Sequence, residues 1–326
     1  MIMNRMKYDP AMLSALKNAD NFMLCTHIHP DGDAIGSMLA AGRLLRALGK
    51  TVAMVCPDEI PHHLDWLPDV GLIVPVEAAA GRRYDAAMCV DVAEARRIGT
   101  AWPLYESASM RFVVDHHPGE PDFAQFSVVD ASAAAAGELI CELWSALGVP
   151  LDQEAAAQLY AAISTDTGNF MFSSVTARTF ACMEAAMAAG LDISEASRKL
   201  FLIKSRPAAA ALGRALSSLR YFADGRATSM HLSQADMWEI GAKDGDLHGI
   251  VNQGLYLEGV EMAFMADETP EGWKISLRGM PGRDVSRIAR QFGGGGHRLA
   301  SGCVIPGSYE EVERRLVAAM EEALRA

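Results

Sequence analysis

In the first half of the chain, short apolar runs too brief for helices end abruptly in aspartate or histidine. Residues 22–28 lead into Pro30, Asp31, Gly32 and Asp33. The runs at 51–56, 86–91 and 111–115 follow, the second ending in Asp91 and the third in Asp115, His116 and His117. Between the first two, residues 34–48 place Ile35, Met38, Leu39, Leu44, Leu45 and Leu48 at helical spacing, with Gly49 as a stop signal. Strand-length runs alternating with helices predict an α/β fold with a parallel sheet covered on both faces. Such sheets hold their ligands outside the carboxyl ends of the strands, which is where the polar residues gather here.

The length of 326 residues corresponds to about two domains, at the usual ~100–200 residues each. With 50% hydrophobic and 21% charged residues, a sizeable core is available and global disorder is excluded. Formal net charge is −12, and residues 1–200 carry 25 acidic against 14 basic groups. That balance excludes a protein gripping long nucleic acid by bulk charge. Six scattered cysteines with no C-x-x-C pair argue against a disulfide framework. Residues 1–20 contain no apolar stretch of signal-peptide type, and no run reaches the ~18 apolar residues of a membrane span. A cytoplasmic protein with no membrane contact is expected.

From 132 to 218 the composition turns alanine-rich and helical, and the alanine runs at 133–136 and 208–211 are expected as helix formers. Beyond about 220, strands are expected at 227–232, 260–266 and 273–277, with helices at 285–291 and 310–324. This predicts a smaller C-terminal α/β domain. The boundary is placed in the helical region near 195–210, giving domains of 1–200 and 201–326.

The segment from Thr26 to Ser37 carries His27, Asp31 and Asp33 within seven positions, between a strand and a helix. Taken singly, Asp33 could merely cap the helix that follows. With Asp91, Asp115, His116, His117 and Asp166 closing other elements, the oxygen and imidazole donors together suit a divalent metal. Asp31, Asp33, Asp91 and Asp166 supply four negative charges, which two divalent cations would balance. Two ions roughly 3.5–4 Å apart are a recurring device for phosphoryl hydrolysis, activating water and neutralising phosphate charge.

In the C-terminal part, Gly293, Gly294, Gly295 and Gly296 lead into His297 and Arg298. Glycines permit close approach of backbone N–H groups to phosphate oxygens; the alternative is a flexible linker. Arg278, Arg283, Arg287 and Arg290 lie nearby with Asp284 as the sole acid between 278 and 298. Arg287 and Arg290 are expected at the surface, and the Gly-His-Arg cluster reads as anion recognition.

The order H-x-x-x-D-G-D at 27–33, the isolated Asp91, Asp115-His116-His117, Asp166 and the Gly-Gly-Gly-Gly-His run together resemble the DHH phosphoesterase family. The glycine motif resembles the DHH-associated RNA- and nucleotide-binding domain of that family. These motifs span Thr26 to Gly302. The resemblance implies an N-terminal parallel-sheet DHH domain, a smaller C-terminal domain, and an active-site cleft between them. It implies that His27, Asp31 and Asp91 bind one manganese and Asp33, Asp91, His116 and Asp166 the other. His117 would contact the scissile phosphate and Asp115 would orient the imidazoles, while Arg278, the glycine loop and His297 would hold the far end of the substrate.

RecJ-type exonucleases are larger, manganese pyrophosphatases lack the glycine motif, and membrane-bound cyclic-dinucleotide phosphodiesterases carry transmembrane segments. The compact nanoRNase type remains. It implies hydrolysis of short oligoribonucleotides and of 3′-phosphoadenosine 5′-phosphate (pAp). The alternatives are pApA or pGpG cleavage, polyphosphate hydrolysis, or an inert nucleotide-binding module. The last would be expected to have lost a ligand position, and all six are present. A homodimer is compatible with the motifs and not specified by them. His29, Ala93 and Gly279 depart from the usual family pattern without touching a ligand position; Gly279 bears on substrate preference.

Overall fold

A computed structural model describes residues 8–92 and 94–325, so Ala93 lies outside the described residues. The chain divides into two compact units, Met1–Ile203 and Lys204–Ala326.

The first unit is built on a six-stranded sheet of β1 (Asn21–Cys25), β2 (Thr51–Cys56), β3 (Ile73–Pro75), β4 (Ala86–Val90), β5 (Met110–Asp115) and β6 (Phe126–Val129). Every neighbouring pair is parallel, in the order β3-β2-β1-β4-β5-β6. The two edge strands, β3 and β6, were not anticipated; at three and four residues they are too short to stand out as apolar runs.

Side-chain alternation sends successive residues of one strand to opposite faces. Phe22 and Leu24 enter the core beneath the Gly32–Ala47, Ala136–Leu147 and Gln153–Asp166 helices, with Leu39, Leu139 and Tyr160. Met23 and Cys25 enter a second core with Ile98 and Tyr105. Burial on both faces explains why these strands are apolar without alternation. All six cysteines are free and buried, and Cys25 faces Cys89 across the β1–β4 ladder with sulfurs 3.1 Å apart.

The helices over the first core touch closely. A Cβ at Gly36 would lie 2.5 Å from the Gln158 carbonyl oxygen and 2.9 Å from the Ala162 nitrogen. Only glycine lets the Gly32–Ala47 and Gln153–Asp166 helices approach this far, and both carry residues of the site described below.

The second unit holds β7 (Arg220–Phe222), β8 (Ala227–Leu232), β9 (Met262–Thr269), β10 (Gly272–Gly279), β11 (Gly295–Gly296) and β12 (Ala300–Ile305). Their order is β11-β12-β10-β9-β8-β7, antiparallel except for the β8–β9 pair. The strands expected near 227, 260 and 273 appear as β8, β9 and β10. β12 was missed because Gly302 interrupts its apolar residues. The Val285–Gln291 and Tyr309–Arg325 helices border one core, with Val285, Ile288, Leu316 and Met320; Ala211, Met230 and Ile250 belong to another. Among the described residues, no helix is long and apolar enough to cross a membrane.

Candidate metal centre

The strand order reverses between β1 and β4, and in doubly wound sheets the crevice outside the carboxyl ends at that point receives the ligand. Both adjacent strands end there in chemistry-bearing residues. After β1 the buried Thr26 hydroxyl donates to the Val90 carbonyl at 3.0 Å, tying the start of its loop to β4, and His27 follows. After β4 comes Asp91, whose backbone N–H donates to the Val114 carbonyl at 2.9 Å and whose φ is +57°. Aspartate tolerates this left-handed conformation better than most residues.

Asp31 accepts a hydrogen bond from the Ala34 N–H at 3.0 Å and is the N-cap of the Gly32–Ala47 helix. The capping role considered for Asp33 therefore belongs to Asp31. Asp33 sits inside the first turn and caps a different helix. Its Oδ2 accepts from the Ala136 N–H at 2.6 Å and its Oδ1 from the Gly137 N–H at 2.9 Å. The Ala136–Leu147 helix has no side-chain cap of its own, because its N-cap is Ala135. The alanine run at 133–136 is thus mostly not helical: Ala133, Ala134 and Ala135 precede the helix despite their propensity. Two contacts fix this stretch outside the helix, the Glu138 carboxylate accepting from the Ala134 N–H and the His116 Nδ1 lying 3.4 Å from the Ala133 carbonyl.

Six donors converge here. His27 Nε2 lies 3.3 Å from Asp91 Oδ2. His116 Nε2 lies 3.4 Å from Asp91 Oδ1, 3.3 Å from Asp166 Oδ2 and 3.7 Å from Asp33 Oδ2. His27, Asp31 and Asp91 form one group able to hold a metal ion, and Asp33, His116 and Asp166 form a second. A third, Asp91 with His116 and His117, overlaps the others, so Asp91 is common to two of the three. Asp166 is the last residue of the Gln153–Asp166 helix. Asp115 Oδ1 accepts from the backbone N–H groups of His116 and His117 and lies 2.9 Å from His117 Nδ1.

The electrostatics follow from crowding carboxylates in a buried place. Burial, Asp91 and Asp166 push the Asp33 carboxyl well above its ordinary range. Burial raises Asp166 to about 7, with His116 opposing and Asp31 and Asp91 adding to the rise. Burial opposes protonation of His116, yet the adjacent Asp91 carboxylate, with the charges of Asp33 and Asp166, lifts it to about 10. Asp91 moves the other way: burial would raise it, but His116 and His27 outweigh burial and keep it ionised. His27 is raised as well, Asp91 overcoming the effect of burial.

The donor set fits divalent cations. Among the described residues Asp91 Oδ1 is buried and has no hydrogen-bond partner, an arrangement that costs free energy unless a cation or another donor completes it. The second ring nitrogens are also engaged in the manner of metal-binding histidines, His27 Nδ1 at 2.8 Å from the Ile28 carbonyl and His116 Nδ1 at the Ala133 carbonyl.

The second unit carries the remaining candidates. Arg278 is half-buried on β10 and donates to the Leu277 carbonyl at 3.0 Å; it enters no ion pair among the described residues, and burial lowers its pKa. Arg283 is paired with Glu261, and Arg290 donates to Ser286. Arg287 and Arg290 are exposed, as expected. His297 is exposed, and its N–H donates to the Ala300 carbonyl at 2.8 Å. The glycine run has reasons inside the chain. A Cβ at Gly294 would meet the Gly302 carbonyl oxygen at 2.1 Å and one at Gly296 the Ala300 carbonyl oxygen at 2.8 Å. Gly295 has open space around it.

A Rossmann-like strand order with aspartates and histidines gathered at its switch point, followed by a separate unit bearing a glycine motif, is the plan of one protein class. The chain belongs to the DHH family. The family's N-terminal domain matches residues 21–163 and the DHHA1 domain matches residues 229–326. Among its relatives is the bifunctional oligoribonuclease and PAP phosphatase NrnA of Thermus thermophilus, 32% identical over 310 residues, which are 93% of this chain and 90% of that one. The protein of the same name from Bacillus subtilis is 26% identical over 304 residues, covering 91% and 93%. An exopolyphosphatase-related protein from Bacteroides fragilis superposes with a TM-score of 0.91 at 25% identity, covering 97% of each chain. The exonuclease RecJ bound to manganese has a TM-score of 0.57 at 15% identity, covering 95% and 93%, a likeness of fold alone.

Proposed function

We propose that this chain is a metal-dependent phosphoesterase that hydrolyses short oligoribonucleotides to mononucleotides and pAp to AMP. The observation that carries the reading is Asp91, a buried carboxylate with one oxygen that accepts no hydrogen bond among the described residues, shared between groups that could each hold a metal. Relatives named as oligoribonuclease and PAP phosphatase, matched over nine-tenths of both chains, support the choice of substrate.

In this reading His27, Asp31 and Asp91 hold one manganese(II), and Asp33, Asp91, His116 and Asp166 hold the other. When bound, such ions activate water and screen the charge of the phosphate. Asp115 holds the His117 ring through Nδ1, so that the imidazole meets the scissile phosphate in a fixed orientation. Ile28 and Ala133 orient the His27 and His116 rings from behind. Arg278, the glycine loop and His297 bind the part of the substrate remote from the cut, Arg278 being half-buried without a carboxylate partner among the described residues. The acidic N-terminal half repels a long polyanion, so a short substrate fits the charge.

The test is manganese-dependent release of mononucleotides from a labelled RNA dimer-to-pentamer ladder, with pAp and polyphosphate run alongside. Turnover of the ladder and of pAp, abolished by Asp91→Ala, supports the reading. Turnover of polyphosphate alone transfers it to the reaction suggested by the name of the Bacteroides relative. Arg278→Ala should raise KM by roughly tenfold or more, the size of a lost hydrogen bond to a charged group; an unchanged KM removes the anion-pocket assignment.

A further inference from the structure

His27 and Asp31 stand at the two ends of one short loop, and the path of the chain between them is unfavourable for the residues it uses. His29 has a φ of +54° and is followed by Pro30. A left-handed backbone is uncommon for any residue with a side chain, and a residue before proline is pushed toward an extended φ of about −120°. Such a conformation persists only where the surroundings impose it.

Here the loop is held from two sides. The Ile28 N–H donates to the Arg97 carbonyl at 2.8 Å. The His29 N–H donates to Asp58 Oδ2 at 2.7 Å. Pro30 has no N–H to offer. Of these two ties only the second is made by a side chain. Asp58 reaches His29 because β1 and β2 run parallel with Cys25 beside Val55, so both strands release their chains at one level. A Cβ on Gly99 would lie 2.5 Å from the Ile28 side chain and 3.6 Å from that of Pro57, so three loops pack together at this point.

The His29 ring is exposed, lying 3.5 Å from Asp58 Oδ2. Among the described residues Asp58 belongs to none of the three donor groups able to hold a metal. Its hydrogen bond nevertheless falls midway between two members of one group. The donor atoms of His27, Asp31 and Asp91 lie within 4.8 Å of one another, and that spacing depends on the turn at His29.

We propose that Asp58 is a positioning residue for the metal centre: by accepting the His29 N–H it holds the left-handed turn and so keeps His27 and Asp31 together beside Asp91. The inference rests on the metal-dependent reading above. Without Asp58 the backbone at His29 relaxes, the two donors separate, and ligation has to rebuild the turn.

The test titrates manganese(II) into metal-free wild type, Asp58→Ala, Asp58→Asn, His29→Gly and the double variant of Asp58→Ala with His29→Gly. Dissociation constants come from calorimetry, with thermal unfolding of the metal-free proteins and hydrolysis of pAp and short RNA measured alongside. Asp58→Ala should bind manganese on the order of tenfold more weakly, the usual effect of removing a group that orients ligands. Asp58→Asn keeps an acceptor oxygen without the charge and should recover most of the affinity. Glycine takes a left-handed φ unaided, so Asp58→Ala should cost much less in the His29→Gly background than in wild type. A role in stability alone would lower the unfolding temperature without this pattern of rescue. Wild-type affinity in Asp58→Ala overturns the proposal. Asp58→Asn as weak as Asp58→Ala also overturns it, since the charge would then be acting, and so does an undiminished loss in the glycine background. Wild type that binds manganese but hydrolyses neither pAp nor RNA sinks the phosphoesterase reading and leaves Asp58 to be decided by the affinities. Wild type that binds no manganese overturns both.

Discussion

Asp33 caps a helix to which it does not belong, its Oδ2 accepting from the backbone N–H of Ala136 at 2.6 Å across 103 residues of sequence. The same carboxylate stands 3.7 Å from His116 Nε2. One side chain therefore serves the stability of the Ala136–Leu147 helix and the donor set of the metal centre. At pH 4, where the raised Asp33 carboxyl is protonated in the folded protein and its repulsion by Asp91 and Asp166 is relieved, Asp33→Ala should lower the unfolding free energy of the chelator-treated protein by about 0.5–2 kcal/mol, the usual worth of a helix cap. Urea denaturation checks this, and an unchanged midpoint would mean the helix holds its start without Asp33.

Metal uptake should release protons. In the metal-free site at pH 7, His116 is protonated, its pKa being about 10, and Asp166 is about half protonated at a pKa of about 7. Ligation needs the neutral imidazole and the carboxylate. Affinity should therefore rise with pH across the neutral range. Titration calorimetry in buffers of different ionisation enthalpy should show net proton release at pH 7; a heat independent of the buffer would contradict it.

Gly36→Ala should loosen both fold and site. The new Cβ would sit 2.5 Å from the Gln158 carbonyl oxygen, forcing apart the helices that carry Asp33 and Asp166. Overpacking of this kind costs typically about 1–3 kcal/mol. Thermal unfolding should shift down and manganese should bind more weakly. A variant with wild-type metal affinity would show that the donors tolerate the shift.

Asp267 on β9 is buried, and burial raises its pKa to about 6, with Asp244 reinforcing and Lys274 opposing the shift. Its unfolded value is near 3.8. The unfolded chain therefore ionises first as pH rises, so stability falls between about pH 4 and 6 and the loss is complete above that window. Asp267→Asn removes the penalty and should stabilise the protein at pH 7.5 by on the order of 1–3 kcal/mol, with little gain at pH 4. Equal gains at both pH values would refute the ionisation argument.

The central strands were legible because burial on both faces leaves uninterrupted apolar runs, and the donors because each closes such a run or a helix. β4 is the clearest case, five buried residues followed by Asp91. β3 and β6 were not, since short edge strands have no pattern long enough to detect. The alanines before Ala136 misled for a related reason: intrinsic helix propensity is weak, and the contacts that fix them outside the helix come from Glu138 and His116. The glycine motif was visible, but its reading as a phosphate cradle omitted the close approach of β12, which requires glycine at Gly294 and Gly296.

Taken alone, the order of residues determined the layered α/β plan, the set of six metal-ligand candidates and the family to which they point, because these depend on local periodicity and on chemical type. Only the tertiary structure decided which helix Asp33 caps, that Asp91 adopts a left-handed backbone, and that Arg97 faces His27. Each of those is a contact between segments distant in sequence. Local pattern carries no record of such contacts; they are selected when the two sheet faces close and buried polar groups must find partners.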